Sequence, residues 1–103
     1  MLSLDLIREH CRVDVEDVSD PLLTSYHKAA IRLFENRTGR VLLFDDTESD
    51  KPNAIAVSED IQAALLMLTD HFVNHKGVVS STQVVTIPMG ARHIMDLHRW
   101  FYG

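Results

Sequence analysis

Residues 20–39, DPLLTSYHKAAIRLFENRTG, carry the strongest helix signals in the chain. Asp20 can accept hydrogen bonds from the first free backbone N–H groups, Pro21 suits the first helical position, and Gly39 can adopt the left-handed conformation that ends a helix. Apolar residues recur between these boundaries at helical spacing, which predicts an amphipathic helix with one face on a core. The apolar stripe comprises Leu22, Tyr26, Ala29, Ala30 and Leu33, with Leu23 and Phe34 at its edge.

A short helix is predicted before this segment. It runs from about Ser3 to Arg12, and the Ser3 hydroxyl can accept a hydrogen bond from a free backbone N–H of the first turn. Leu4, Ile7 and Cys11 fall on one face of this helix. The acidic residues that follow have no apolar period, so we expect them to form the connector between the first two helices.

A third helix is predicted from residue 58 to Gly77, because a capping serine and two acids stand at its start. Leu66 and Val73 form a second apolar stripe, roughly 120° around the helix from the main one. A chain this small rarely packs a core on two sides of one helix, so we expect the second stripe to contact a neighbouring subunit. Core packing against residues 41–57 is the alternative. The main stripe comprises Ile61, Ala64, Leu65, Leu68 and Phe72.

The remaining segments are extended or short. Residues 41–44 and 54–57 are brief apolar runs that could pair as a small β-hairpin. Residues 78–90 are mostly β-branched and small polar residues without a helical period. They predict an extended arm that becomes ordered only against a partner.

A last helix is predicted over about residues 91–102, with Ile94, Leu97 and Phe101 on one side. The elements together predict an all-α fold. It is a small bundle of four or five short helices with an extended arm before the last helix. A short β-hairpin is an open alternative for the two apolar runs. The residues expected at a subunit interface are Leu66, Val73, Val78, Val79, Val84, Val85, Ile87 and Trp100.

Length and charge exclude several classes of protein. A chain of 103 residues, of which 46% are apolar, suits one globular domain over residues 1–103. The net charge of −5 has the wrong sign for a protein that wraps nucleic acid or lies on an anionic membrane. A single cysteine, Cys11, excludes an internal disulfide framework. The longest apolar run, residues 63–68, is too short to span a bilayer, and no secretory signal is visible, so we expect a soluble intracellular protein.

No catalytic, metal or cofactor site is predicted. His71 and His75 have the spacing of a helical zinc pair, but Phe72 stands where the metalloprotease version needs a glutamate base. We therefore interpret both as core or interface histidines. Cys11 and the histidine before it point in different directions on a helix, so they do not form a nucleophile–base pair. The acidic run 45–50 lacks the central glycine and terminal glutamate of a calcium loop.

Four blocks of the sequence are informative because of their order and spacing along the chain. They are Leu4-x-x-Ile7-x-x-x-Cys11-Arg12-Val13-Asp14, Leu22-Leu23-x-x-Tyr26-x-x-Ala29-Ala30 running on to Glu35-Asn36-Arg37-Thr38-Gly39-Arg40, Ile61-Gln62-Ala63-Ala64-Leu65-Leu66-Met67-Leu68 with Phe72, and Ile87-Pro88-Met89-Gly90 with Ile94, Leu97 and Arg99. Taken together, the blocks resemble the head–tail connector family of long-tailed double-stranded DNA phages. Its members, also called adaptor or head-completion proteins, are small all-α proteins associated with DNA packaging.

The resemblance implies a structural virion protein and not an enzyme. It implies a ring of identical copies at the portal vertex, which connects the head to the tail and extends the DNA channel. The implied partners are other copies of the chain, the portal protein and a head-closure or tail-completion protein, with no cofactor and no membrane. The implied location is the head–tail junction of the virion, after assembly in the host cytoplasm.

DNA is expected to pass through such a ring without specific binding. Asp45, Asp46, Glu48 and Asp50 are expected to face the channel or its rim, where they would repel phosphate. A solvated outer turn is the alternative for this loop. The alternative function is a small helical DNA-binding or regulatory protein, which would need a basic recognition helix, and none of the predicted helices is basic.

Overall fold

The computed structural model describes residues 1–44, 52–74 and 88–99. These residues form four α-helices and two short strands, and the predominantly helical fold agrees with the prediction. The elements are α1 (Leu4–Cys11), α2 (Asp20–Thr38), β1 (Val41–Leu43), β2 (Ala54–Ala56), α3 (Glu59–Asn74) and α4 (Met89–Leu97).

Helix α3 lies at the centre of the packing and contacts α1, α2 and α4. Its main apolar stripe is buried as predicted, and it forms the larger core cluster with α2, β1 and α4. Its second stripe is buried in a smaller cluster with α1 and the start of α2. The expectation that a chain of this size packs core on only one side of α3 is therefore wrong. The buried residues of α3 are Ile61, Ala64, Leu65, Leu66, Leu68, Thr69, Phe72 and Val73.

Helix α2 has the predicted ends but a different buried face. The side chain of Ser19, not of Asp20, accepts the capping hydrogen bond, and Gly39 ends the helix with φ 70° in the left-handed region. The predicted stripe is rotated by about one residue, because Leu22 and Ala29 are exposed. The buried residues are Leu23, His27, Ala30, Phe34 and Thr38.

The buried imidazole of His27 explains this rotation. Its Nε2 accepts a hydrogen bond from the backbone N–H of Leu2 at 3.1 Å, and its Nδ1 lies 3.0 Å from the hydroxyl of Thr69. That hydroxyl donates to the carbonyl of Leu65 at 2.8 Å, so Nδ1–H donates to Thr69 and the ring is neutral. A polar side chain can face the core here because both of its nitrogen atoms are satisfied.

The two strands pair in parallel, with Val41 opposite Ala54, so the predicted β-hairpin is wrong. A hairpin joins antiparallel strands through a short turn, whereas residues 44–53 separate β1 from β2. The carboxamide of Asn53 donates to the carbonyl of Gly39 at 2.7 Å and fixes β2 beside the end of α2. The N–H of Leu42 donates instead to the carboxylate of Glu35 at 2.9 Å.

Helix α4 begins at Met89, so the last residues of the predicted arm belong to it. Its buried residues are Ala91 and Met95, and Ile94 packs against the core, whereas Leu97 is exposed; of the predicted face, Ile94 is confirmed, Leu97 is wrong and Phe101 lies outside the described residues. Gly90 packs on α3 so closely that a Cβ atom there would lie 3.2 Å from the sulfur of Met67. The close approach of the two helices therefore sets which face of α4 is buried.

Arg8 holds the turn between α1 and α2. Its guanidinium donates to the carbonyls of Val13 at 3.4 Å and Val18 at 2.9 Å, and it lies 2.5 Å from the carboxylate of Asp20. The side chain of Val18 is buried beneath this turn. One arginine thus ties three points of the connector to α1.

We predict that His27 makes stability depend on pH. Burial, with the charge of the amino terminus, lowers the pKa of His27 from 6.5 to about 4. The unfolded chain therefore binds a proton that the folded chain does not, and stability is lost as the pH falls from 6.5 towards 4. The loss reaches up to about 3 kcal/mol. Urea unfolding across this range should show a smaller loss for His27→Gln and an unchanged loss for the exposed control His93→Gln. Equal pH dependence in all three proteins would contradict the prediction.

We also predict that Arg8→Ala destabilises the fold by about 1–3 kcal/mol, because two backbone carbonyls lose a charged donor. Arg8→Lys should recover less than half of the loss, since one ammonium cannot reach all three acceptors. The control is Arg92→Ala on the exposed side of α4. Urea unfolding at neutral pH measures the differences, and an Arg8→Ala loss no larger than that of the control would refute the role of Arg8.

Candidate functional site

Two of the twelve residues predicted to form interfaces or a channel rim lie in the described part of the chain. They are Leu66 and Val73, both on α3. The other ten lie outside the described residues, as does His75. These ten are Asp45, Asp46, Glu48, Asp50, Val78, Val79, Val84, Val85, Ile87 and Trp100.

Leu66 and Val73 are buried within the single chain. They are 7% and 2% exposed, and they share a cluster with Ile7 and Cys11 of α1. The apolar stripe that they form is covered by α1, so the premise that it lacks a partner in its own chain is wrong. Both residues pack in the core of their own chain, against α1 and the start of α2, and none of the described residues of segment 41–57 belongs to this cluster.

The described side chains do not assemble a catalytic centre. Burial raises the pKa of the Cys11 thiol to about 11, and the neighbouring carboxylate of Asp70 adds to the shift through its charge and a hydrogen bond. A thiol with this pKa stays protonated and is a poor nucleophile. The ring of His71 meets Phe72 edge to face, with centroids 6.2 Å apart. Within the three described ranges, no group of three or more His, Cys, Asp or Glu residues could hold a metal ion.

A polar contact also fixes the end of α4. Nε2 of His98 lies 2.5 Å from the carboxylate of Asp60 at the start of α3. The hydrogen bond from His98, followed by one from Ser58, lowers the pKa of Asp60 to about 2. The carbonyl of His98 accepts from Nε of Arg40 at 2.9 Å. These contacts join three elements at the molecular surface and have the character of structural bonds.

Sequence reasoning missed the two polar residues that organise the fold, His27 and Arg8. The available signal for His27 is its spacing, since it lies four residues after Leu23 and three before Ala30 on one helical face. No local pattern identifies Arg8, because its acceptors lie 5 to 12 residues further along the chain.

Among the described residues, large apolar side chains are exposed at Met1, at the start of the chain, and at two further places. Val15 is 61% exposed at the turn between α1 and α2, and Leu22 is exposed nearby in the first turn of α2. Met89 and Leu97, 86% and 66% exposed, lie on the outer side of α4. Contiguous apolar patches are typical of surfaces that contact other proteins, whereas a single exposed apolar side chain is common on any protein surface.

A shallow hollow of about 300 Å³ lies on the outer face of α2. It is lined by Lys28, Ala29, Ile31 and Arg32. Ala29 and Ile31 lie on opposite sides of the ridge that Lys28 and Arg32 form, because successive residues of a helix are about 100° apart. The lining is mostly apolar, since the aliphatic stems of Lys28 and Arg32 add to Ala29 and Ile31, and the two charged groups stand at its edge.

In the part of the chain that the structure describes, no helix combines the length and the apolar character needed to cross a membrane.

Comparison with known proteins agrees with a surface built for contacts and not for chemistry. Residues 1–99 of the 103 match the family model described as phage gp6-like head-tail connector protein. Neither the curated proteins nor the solved structures give a significant match. The family match covers almost the whole chain, and the family is one of structural proteins and not a known enzyme class. The chain belongs to the phage gp6-like head-tail connector family, which implies a component of the virion at the head–tail junction.

Proposed function

We propose that the chain is a structural virion protein that forms a homo-oligomeric ring at the portal vertex, connects the head to the tail and extends the DNA channel. The observation that carries this proposal is the connector-family match over residues 1–99. In this role the protein completes the head after DNA packaging. Its partners are other copies of itself, the portal protein and a head-closure or tail-completion protein.

The distribution of exposed apolar residues supports assembly through more than one surface. The turn before α2 and the outer side of α4 each present apolar side chains to solvent. A ring needs a heterologous contact, in which two different patches of each copy meet, and a connector needs further surfaces for the proteins above and below it. Further interface residues in this proposal are Val78, Val79, Val84, Val85, Ile87 and Trp100.

The charge of the chain supports a ring through which DNA passes without specific binding. The net charge is −5, and Asp45, Asp46, Glu48 and Asp50 are four of its 15 acidic residues. In the proposal these four face the channel or its rim and repel the phosphates of the moving DNA. A DNA-binding regulator of this size would instead need a basic surface that follows a groove.

The first test of the proposed function is the mass of the protein in solution. Light scattering after size-exclusion chromatography should give a species many times the 11.7 kDa of one chain, at high concentration or after addition of the portal protein. A regulator would remain a monomer or form a dimer that binds DNA. A mass of one or two chains at every concentration, with and without portal protein, would overturn the ring.

The second test concerns the acidic loop. Changing Asp45, Asp46 and Asp50 to Asn and Glu48 to Gln should raise the DNA affinity of the assembled ring at low salt. Added salt should reduce the gain, because it screens the repulsion that the substitutions remove. A DNA-binding titration measures both effects.

The matched control for this test neutralises four exposed acids elsewhere, Asp5, Glu9, Glu59 and Asp96, and changes the net charge equally. An equal gain in the control would show an effect of total charge only. No gain for the loop variant at any ionic strength would place the loop away from the DNA path.

A further inference from the structure

We propose that the α1–α2 turn of one copy, with Val15 at its tip, docks into the Lys28–Arg32 hollow on α2 of the next copy. This inference rests on the proposed ring and adds to it the two surfaces that meet. The occupant of the hollow is a second copy of this chain.

Hydrogen bonds hold the α1–α2 turn in one conformation. The guanidinium of Arg8 ties both of its ends to α1, and the buried side chain of Val18 anchors it from below. Within it, the N–H of Asp14 donates to the carboxylate of Asp17 at 3.3 Å, and the N–H of Val18 donates to the carbonyl of Asp14 at 3.0 Å. An ordered turn that holds Val15 in solvent loses little conformational entropy when a partner covers it.

The hollow matches the tip of the turn in shape and polarity. Its mostly apolar lining includes Ala29, the half-buried Ile31 and the aliphatic stems of Lys28 and Arg32, and its volume of about 300 Å³ leaves room for a valine side chain. Docking of Val15 would remove apolar surface from water on both copies.

The charges of the two surfaces are complementary. Asp14, Glu16 and Asp17 surround Val15 on the turn, while Lys28 and Arg32 stand at the rim of the hollow. Neither cation at the rim is in an ion pair with another of the residues that the structure describes. Three acids would therefore approach two cations that have no competing charged partner in the described part of their own chain.

The same charges favour a head-to-tail contact. Two turns placed against each other would bring acids together, and two hollows would bring cations together, so a two-fold symmetric contact through either surface is repulsive. A contact between the turn and the hollow is heterologous, and such contacts form a closed ring when the rotation between copies allows it.

The two surfaces lie far enough apart to be used at once. The turn ends where α2 begins, at Asp20, and the hollow is centred about ten residues further along the helix. At a rise of 1.5 Å per residue this is about 15 Å. Each copy can therefore offer its turn to one neighbour and its hollow to the other.

Cysteine cross-linking tests the contact directly. Val15→Cys and Ala29→Cys chains are mixed at high concentration and oxidised with oxidised glutathione, with the wild-type chain as a check that the buried Cys11 does not react. We expect a mixed disulfide dimer to form several-fold faster than the dimer of either variant alone. The matched control pairs Val15→Cys with Asn36→Cys, which is exposed on the same face of α2 two turns beyond Ala29.

Exchange of charges provides the second test. Asp14→Lys with Glu16→Lys should weaken assembly several-fold, and so should Lys28→Glu with Arg32→Glu. All four substitutions in one chain should restore it. Circular dichroism checks that each variant is folded.

The outcomes separate this contact from the ring itself. If the wild-type chain assembles but Val15→Cys cross-links no faster to Ala29→Cys than to Asn36→Cys, the ring uses other surfaces and this inference is overturned. If the cross-link forms but no species larger than a dimer exists with or without portal protein, the contact stands and the ring is overturned. If Lys28→Glu with Arg32→Glu abolishes DNA binding and leaves assembly unchanged, the hollow faces DNA and the inference is wrong.

Discussion

The arrangement of the chain depends on the burial of α3 around most of its circumference. Eight of its sixteen residues are buried, and they do not lie on one side. A helix of this kind must be covered by several other helices, and a chain of 103 residues contains few of them. Helix α1 covers the apolar stripe of α3 that contains Leu66 and Val73. Helix α2 packs on another side of α3, and α4 approaches α3 at Gly90. Their positions follow from the need to keep α3 out of water.

Sequence reasoning works where one physical rule dominates. The ends of α1 and α2 and the main stripe of α3 follow from capping residues and apolar spacing, and the structure confirms them. It fails where distant residues decide. His27 is buried because Leu2 and Thr69 satisfy its hydrogen bonds, and β2 lies beside the end of α2, where Asn53 bonds to Gly39, and pairs in parallel with β1. For the candidate site, the order of the sequence blocks was enough to recognise the family. The contact surfaces could not be located from the sequence, because they depend on tertiary packing.

The polar contacts of the molecule serve its surfaces more than its core. Arg8 fixes the turn that presents Val15, and the bond between His98 and Asp60 fixes the end of the helix that presents Leu97. Each is a charged or charge-assisted hydrogen bond between elements, and such bonds specify geometry well. A connector must present its contact surfaces to other virion proteins in a fixed orientation. Side chains that lock the turns and helix ends meet that requirement without any catalytic group.

The hydrogen bond between Glu35 and the N–H of Leu42 has a consequence for solubility. A two-stranded sheet has unpaired backbone on its outer edges, and an open edge is a template on which another chain can add a strand. Leu42 is the middle residue of β1, and its N–H bonds to the Glu35 carboxylate and not to β2. It also places a negative charge at that edge. Occupation of this N–H and the charge beside it make β1 a poor template for a strand from another chain.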